Sequence, residues 1–224
     1  RLTNYTRSVN TDSVSYTGLL NTILKNSGYY TAATLDADAN CSGGGTISTS
    51  KFNIYCYTAG TFDAKLGTAI SDGTAAKTMV LYPKNNANLD QVITSAESIA
   101  TNGKVVIVFV NGNLTVNNNV SIPTSYTGSG IIFVVNGNLT VNSAVSVLDG
   151  VYVFSGGFDD GLSQTAITGN GSLLSTGTGN FFFNRLLAGN TTPAEHWTYE
   201  PKYLVLFENS LATAKYTWQE LPPQ

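Results

Sequence analysis

The sequence predicts a mainly β protein whose C-terminal half is a right-handed parallel β-helix, a solenoid of stacked coils. Three observations predict it. The run Asn-Gly-Asn-Leu-Thr-Val-Asn begins at Asn111 and again at Asn136, a period of 25 residues. Fixed periods of this size are the signature of solenoids, propellers and arrays. The same grammar surrounds each copy: an unbroken apolar run, an Asn-Gly turn, then strict alternation of Leu and Val with Asn and Thr. An unbroken β-branched run describes a strand buried on both faces, and alternation one with a wet face. No helical pattern separates these strands, so the unit is one coil and not a strand–helix repeat.

The elements follow in chain order. Residues 1–103 form a small α+β or β-rich N-terminal cap, and residues 104–224 the solenoid with an aromatic-rich end. Thr17–Asn26 reads as a helix, with Leu19, Leu20, Ile23 and Leu24 on one side and Gly28 as its stop. Phe52–Tyr57 and Thr78–Tyr82 read as strands. Asn88–Thr101 reads as a second helix that caps the solenoid, because Leu89, Val92, Ile93, Ala96 and Ile99 make an apolar stripe. The apolar runs Val105–Val110, Ile131–Val135 and Val151–Phe154 stack into one sheet, with the last a degraded repeat and Ile167–Ser175 a fourth. Stacking places Asn111 over Asn136, Asn113 over Asn138 and Leu114 over Leu139, so Asn side chains can hydrogen-bond along the stack. The outer face of this sheet is also apolar and needs a cover, from the N-terminal half or from a neighbouring molecule. Tyr203–Phe207 reads as a strand. The competing architecture is a β-sandwich, in which the Asn-Gly pairs are hairpin turns.

Composition narrows the function classes. Charged residues are 11% of the chain and the net charge is −3, so no basic excess exists to neutralise a nucleic acid. No apolar run is long enough to span a bilayer. A 42% hydrophobic and 11% aromatic content supports a folded core. The chain starts at Arg1 without a signal-peptide pattern, and it reads as a mature or trimmed piece of an exported protein. Cys41 and Cys56 flank the Gly43–Gly45 reversal and are read as a disulfide, the alternative being two buried thiols. Seven Asn-x-Ser/Thr triplets, at Asn4, Asn40, Asn113, Asn119, Asn138, Asn170 and Asn190, are formal glycan acceptors that such a composition also produces by chance.

Candidate chemistry is sparse. Asp36, Asp38 and Asn40 place oxygens at alternate positions, a weak calcium candidate, with Cys41 and Ile47 where an EF-hand needs Gly and Glu. No other cofactor is implied. Asp159-Asp160, with Glu195, are the carboxylates a carbohydrate-active β-helix enzyme would use. Asn10-Thr-Asp12 resembles a polygalacturonase element, but lies too far from Asp159 in sequence for neighbouring coils. His196 is the only histidine and has no triad partner. No catalytic residue is therefore assigned. Trp197, Tyr199, Tyr203, Tyr216 and Trp218 are the candidate binding residues, able to stack on sugars or dock a neighbour.

The C-terminal half resembles a loosely defined family of Gly/Asn-rich exported bacterial surface proteins, many of them accompanying type IV pili. The resemblance rests on the Asn-Gly-Asn-Leu-Thr repeats, Gly150–Gly156 (GVYVFSG), Asn184-Arg185-Leu186, Asn190, Ala194-Glu195, Tyr199-Glu200-Pro201-Lys202-Tyr203 and Trp218-Gln219-Glu220. It covers roughly residues 104–220. It implies an extracellular structural or adhesive protein, a module or subunit of a surface filament or appendage. The implied partners are copies of itself, other surface proteins or glycans. The rival functions are a carbohydrate-active enzyme and a phage tail-spike module.

Overall fold

The architecture was taken from a computed structural model of the chain. The structure describes residues 15–29, 31–73, 77–189 and 192–211. It is a parallel β-solenoid of about six turns with a small helical N-terminal region.

The helical region comes first. Helix α1 (Tyr16–Ser27) is capped by the Ser15 hydroxyl, which accepts from the Gly18 amide, and stops at Gly28 in the left-handed conformation. Two short helices follow, α2 (Ala32–Asp36) and α3 (Ala39–Ser42). Strands β1 (Thr46–Ser48) and β2 (Phe52–Tyr57) form an antiparallel pair, and helix α4 (Phe62–Ser71) leads to β3 (Thr78–Pro83).

The coils then repeat a fixed path. Strands β4 (Gln91–Ile93) and β5 (Glu97–Ser98) complete the coil begun by β3. The next runs β6 (Val105–Val110), β7 (Leu114–Val116), β8 (Val120–Ser121). Then come β9 (Gly130–Val135) and β10 (Leu139–Val141), β11 (Gly150–Phe154) and β12 (Phe158–Asp159), and β13 (Ile167–Ser175) and β14 (Phe181–Phe182). Strand β15 (Glu195–Thr198) and helix α5 (Lys202–Leu211) end the described chain. The large sheet has the order β1-β2-β3-β6-β9-β11-β13-β15, the second β14-β12-β10-β7-β4, and β5 and β8 form a third face.

Register fixes the coil lengths. Ile54, Val80, Ile107, Ile132, Val151 and Ser172 lie one above the next on parallel strands. Leu114, Thr115 and Val116 pair with Leu139, Thr140 and Val141, also in parallel. The expected stacking of the twin repeats is therefore observed, and the sandwich reading is not. Leu114, Val116, Leu139 and Val141 point inward and are fully buried, each worth about 1.5–3 kcal/mol of apolar transfer.

Three sequence-based expectations are corrected. The parallel ladder runs unbroken across residue 103, through β3 and β6, so the solenoid starts well inside the proposed N-terminal cap. Asn88–Thr101 is not a helix. It is the β4–β5 corner, where Gln91, Ile93, Glu97 and Ile99 turn inward and Val92 turns outward. Its apolar spacing comes from a strand bending round a corner, which imitates a helical stripe. Tyr203–Phe207 is not a strand but part of α5. Tyr203, Phe207 and Ser210 are buried while Leu204 and Val205 are exposed, the one-sided pattern of a surface helix.

The apolar outer face of the large sheet is covered from within the chain. Tyr16 of α1 meets Phe109 edge-on at 5.7 Å. The Tyr82 hydroxyl donates to Asp36 of α2 at 3.1 Å, and Ser210 of α5 pairs with Thr78 at 3.1 Å. The disulfide Cys41–Cys56 ties α3 to β2. Replacing both cysteines by serine is expected to lower stability by about 3 kcal/mol, read as a fall in the thermal midpoint that reductant reproduces in the parent protein. Helix α4 does a different job. It replaces two faces of the first coil and fills the N-terminal opening with Phe62, Leu66, Ala69 and Ile70, all buried. Asp63 fixes it by accepting the Thr94 amide at 3.0 Å and the Thr94 hydroxyl at 2.6 Å.

The corners between the two larger sheets demand glycine. A Cβ on Gly137 would lie 2.5 Å from the carbonyl oxygen of Gly112 in the coil before it, and one on Gly156 would lie 2.8 Å from Gly137. Gly137→Ala should cost about 1–3 kcal/mol by overpacking, measured by denaturant unfolding, whereas Gly73→Ala, with open space around it, should be nearly silent.

Candidate functional site

Two constructions of side chains stand out on this scaffold, a polar ladder along its side and a buried charge cluster near its C-terminal end. The ladder follows from the repeat. Asn136 Nδ2 donates to Asn111 Oδ1 at 2.8 Å, and Asn111 Nδ2 to the Asn86 carbonyl at 2.6 Å. The neighbouring column works differently from the expected side-chain stack. Asn113 Oδ1 accepts the backbone amide of Asn138, Asn138 Oδ1 accepts that of Gly157, and Asp90 Oδ1 accepts that of Asn113. Each side chain thus supplies a coil-to-coil bond at a corner where the backbone ladder breaks. Asn119 does the same on the third face, taking the amides of Ser146 and Val147. Thr115 and Thr140 stand in register between the columns. Four of the formal glycan acceptors, Asn113, Asn119, Asn138 and Asn170, spend side-chain atoms on these structural bonds. Asn4 and Asn190 lie outside the described residues.

The charge cluster is built on Arg185, which is 3% exposed. Its guanidinium donates to the carbonyls of Val145 (2.7 Å), Thr165 (3.0 Å), Asn142 (3.1 Å) and Asp160 (3.2 Å), stitching successive coils together. Asp160 Oδ2 lies 3.6 Å from Arg185 Nε. Asp160 Oδ1 accepts the Asn184 amide at 2.7 Å, and Glu195 accepts the Arg185 amide at 3.2 Å. Asp160 is thus the carboxylate beside the guanidinium, and Glu195 adds a weaker attraction to the same cation. Burial, together with Glu195, pushes the Asp160 carboxyl up to about 6 despite the Asn184 amide and Arg185. Sequence reasoning singled out Asp159, Asp160 and Glu195 as a carboxylate group and missed Arg185 as its organiser. Asp160 is fully buried, and Asp159 accepts from Asn184 Nδ2 at 3.0 Å and the Gly161 amide at 2.9 Å.

The remaining sequence candidates fall apart spatially. Asp36 accepts from Tyr82 and from the Asn85 amide, and Asp38 caps α3 and accepts from Tyr29. The carboxylates of Asp36 and Asp38 are thus turned to separate protein donors. Among the described residues no three His, Cys, Asp or Glu side chains gather to hold a metal ion, and no helix is long and apolar enough to cross a membrane. His196 is exposed on β15 beside Thr168. Of the five candidate binding aromatics, three lie among the described residues and differ in exposure. Trp197 packs its ring where a Cβ on Gly169 would sit, and Tyr203 is buried with its hydroxyl on the Asn170 carbonyl. Tyr199 is exposed. Tyr216 and Trp218 lie outside the described residues, as do Asn10 and Asp12.

Two further buried ionisable groups had no sequence signal. Glu97 sits under α4, and burial with the nearby Asp63 charge pushes its carboxyl up to about 7. Lys104 is fully buried, its Nζ has no hydrogen-bond partner among the described residues, and burial lowers its pKa against the pull of Asp72. Compared with protein-family models, curated proteins and solved structures, the chain finds no match.

Proposed function

We propose that the chain is an extracellular structural or adhesive protein, a module or subunit of a cell-surface filament or appendage. The observation that carries this reading is the polar ladder. Its Asn and Thr columns repeat at the inter-strand spacing of about 4.8 Å and present amide and hydroxyl groups with little charge. Such a face suits neutral, repetitive partners: glycans, other surface proteins or another copy. The Cys41–Cys56 disulfide supports an oxidising compartment. Helices α1 and α5 cover the outer face of the large sheet, which suits a mechanical role.

The test is immunogold electron microscopy of intact native cells with an antibody to the folded chain. Gold on surface appendages is the expected result. Labelling that appears only after lysis would overturn the reading.

A further inference from the structure

Four Asn-Gly pairs punctuate the chain, at Asn102, Asn111, Asn136 and Asn170. The fold treats them unequally. Asn111 Nδ2 donates to the Asn86 carbonyl at 2.6 Å, Asn136 Nδ2 to Asn111 Oδ1 at 2.8 Å, and Asn170 Nδ2 to Asp149 Oδ1 at 2.9 Å. The glycines that follow these three, Gly112, Gly137 and Gly171, are wedged against Leu89, Gly112 and Gly150 of the coil before. Asn102-Gly103 is built differently. It forms the exposed turn between β5 and β6, where Gly103 takes a φ of +82°. Asn102 Oδ1 accepts the amide of its own successor Gly103 at 2.9 Å, and that of Gly128 in the next coil at 3.0 Å. Asn102 Nδ2 has no hydrogen-bond partner among the described residues.

We propose that Asn102 is a site of spontaneous deamidation, and that the solenoid protects the other three pairs. Hydroxide takes the Gly103 amide proton, and the freed nitrogen attacks Asn102 Cγ. A C–N bond forms within a five-membered succinimide, the bond from Cγ to Nδ2 breaks, and that nitrogen leaves as ammonia with a proton from water. Water then opens the ring at one carbonyl or the other, giving aspartate or isoaspartate. Three features of this turn promote the reaction. The Gly103 nitrogen is within hydrogen-bond reach of Oδ1, so Cγ, one C=O bond away, is already near its attacker. Glycine puts no side chain in the path of attack. The Gly128 amide points at the oxygen that gains negative charge as Cγ becomes tetrahedral. The other three asparagines must first break a coil-to-coil bond of the side-chain amide. Conversion adds one negative charge to a chain of net charge −3. The isoaspartate form also lengthens the backbone of the turn at its contact with Gly128. The proposal stands whether or not the protein works at a cell surface.

Incubation of the folded full chain at mildly alkaline pH, followed by peptide mapping with fragment-ion sequencing, tests this. Asn102 should show the mass change of an amide turned to an acid, and its peptide should accept methyl groups from isoaspartyl methyltransferase. Its rate should exceed that of each other pair by about tenfold or more, the ratio that corresponds to about 1.4 kcal/mol on the barrier. In denaturant all four pairs should convert at similar rates, which assigns the difference to the fold. Asn102→Gln, whose ring would need six members, should stop the charge change in the folded chain. A folded chain that keeps Asn102 as the amide while the unfolded chain converts it overturns the proposal. So does conversion of all four pairs at equal rates in the folded chain, or a preference for Asn102 that persists unchanged in denaturant.

Discussion

Replacing Arg185 with methionine is expected to destabilise the fold by about 3–5 kcal/mol, the cost of removing one partner from a buried charge network. The side-chain volume is nearly kept, so a cavity contributes little. What is lost are the bonds to four backbone carbonyls on successive coils. The carbonyls of Asp160 and Val145, whose contacts with Arg185 are buried, then lose that donor where water does not readily replace it. Asp160 also loses the cation 3.6 Å from its carboxylate. Guanidinium unfolding at pH 7.5 measures the loss. Arg185→Lys should recover only part of it, because an ammonium cannot serve the same fork of carbonyls. The Met variant should suffer less at pH 5, where Asp160 takes up a proton and no longer needs the cation. A loss below about 1 kcal/mol would mean that Arg185 behaves as a surface residue.

The intact protein should itself be more stable at pH 4.5–5 than at pH 8. Asp160 rises from 3.8 to about 6 on folding and Glu97 from 4.5 to about 7, both chiefly by burial. Raised acid pKa values mean that the folded chain binds more protons than the unfolded one in this range. The stabilisation is therefore fully present near pH 4 and is lost as pH rises through 6 and 7. Each group contributes about 1–3 kcal/mol. At the acid limit the sign reverses. Asp63 is raised by burial, but hydrogen bonds from Thr94 and Ser95 outweigh that and leave it lowered, so its contribution disappears as pH falls below its folded pKa. Denaturant midpoints between pH 3 and 8 should trace a maximum on the acid side. Asp160→Asn with Glu97→Gln should flatten the decline above pH 6. A parent protein of constant stability from pH 5 to 8 would contradict this account.

The solenoid was legible because its signal is local and repeated. The twin Asn-Gly-Asn-Leu-Thr-Val-Asn runs carry both the inward Leu and Val pairs and the corner asparagines, and the observed register aligns them residue for residue. The need for a cover on the large sheet was equally legible from unbroken runs such as Val105–Val110. What failed were segments where two periods coincide. Gln91 to Ile99 bends at a corner, and the bend shifts inward positions by the same step as a helical turn. Tyr203–Phe207 is rich in strand-favouring residues, yet α5 forms because Tyr203 and Leu206 lie against Gly130 of the finished sheet, a surface no local window contains. The organising role of Arg185 was not legible because its partners are mostly carbonyls, which every residue has. Glu97 and Lys104 escaped notice because burial, not neighbouring residue type, makes them unusual.

The most direct test of the whole construction is a disulfide between adjacent coils. Thr115 and Thr140 are register partners on parallel neighbouring strands, within the Cα separation a disulfide tolerates, about 4.4–6.8 Å. Thr115→Cys with Thr140→Cys should oxidise within one chain, leave the circular-dichroism spectrum unchanged and raise the melting temperature. A double variant whose two introduced thiols join only after unfolding, or only between molecules, would show that the twin repeats are not stacked one coil apart.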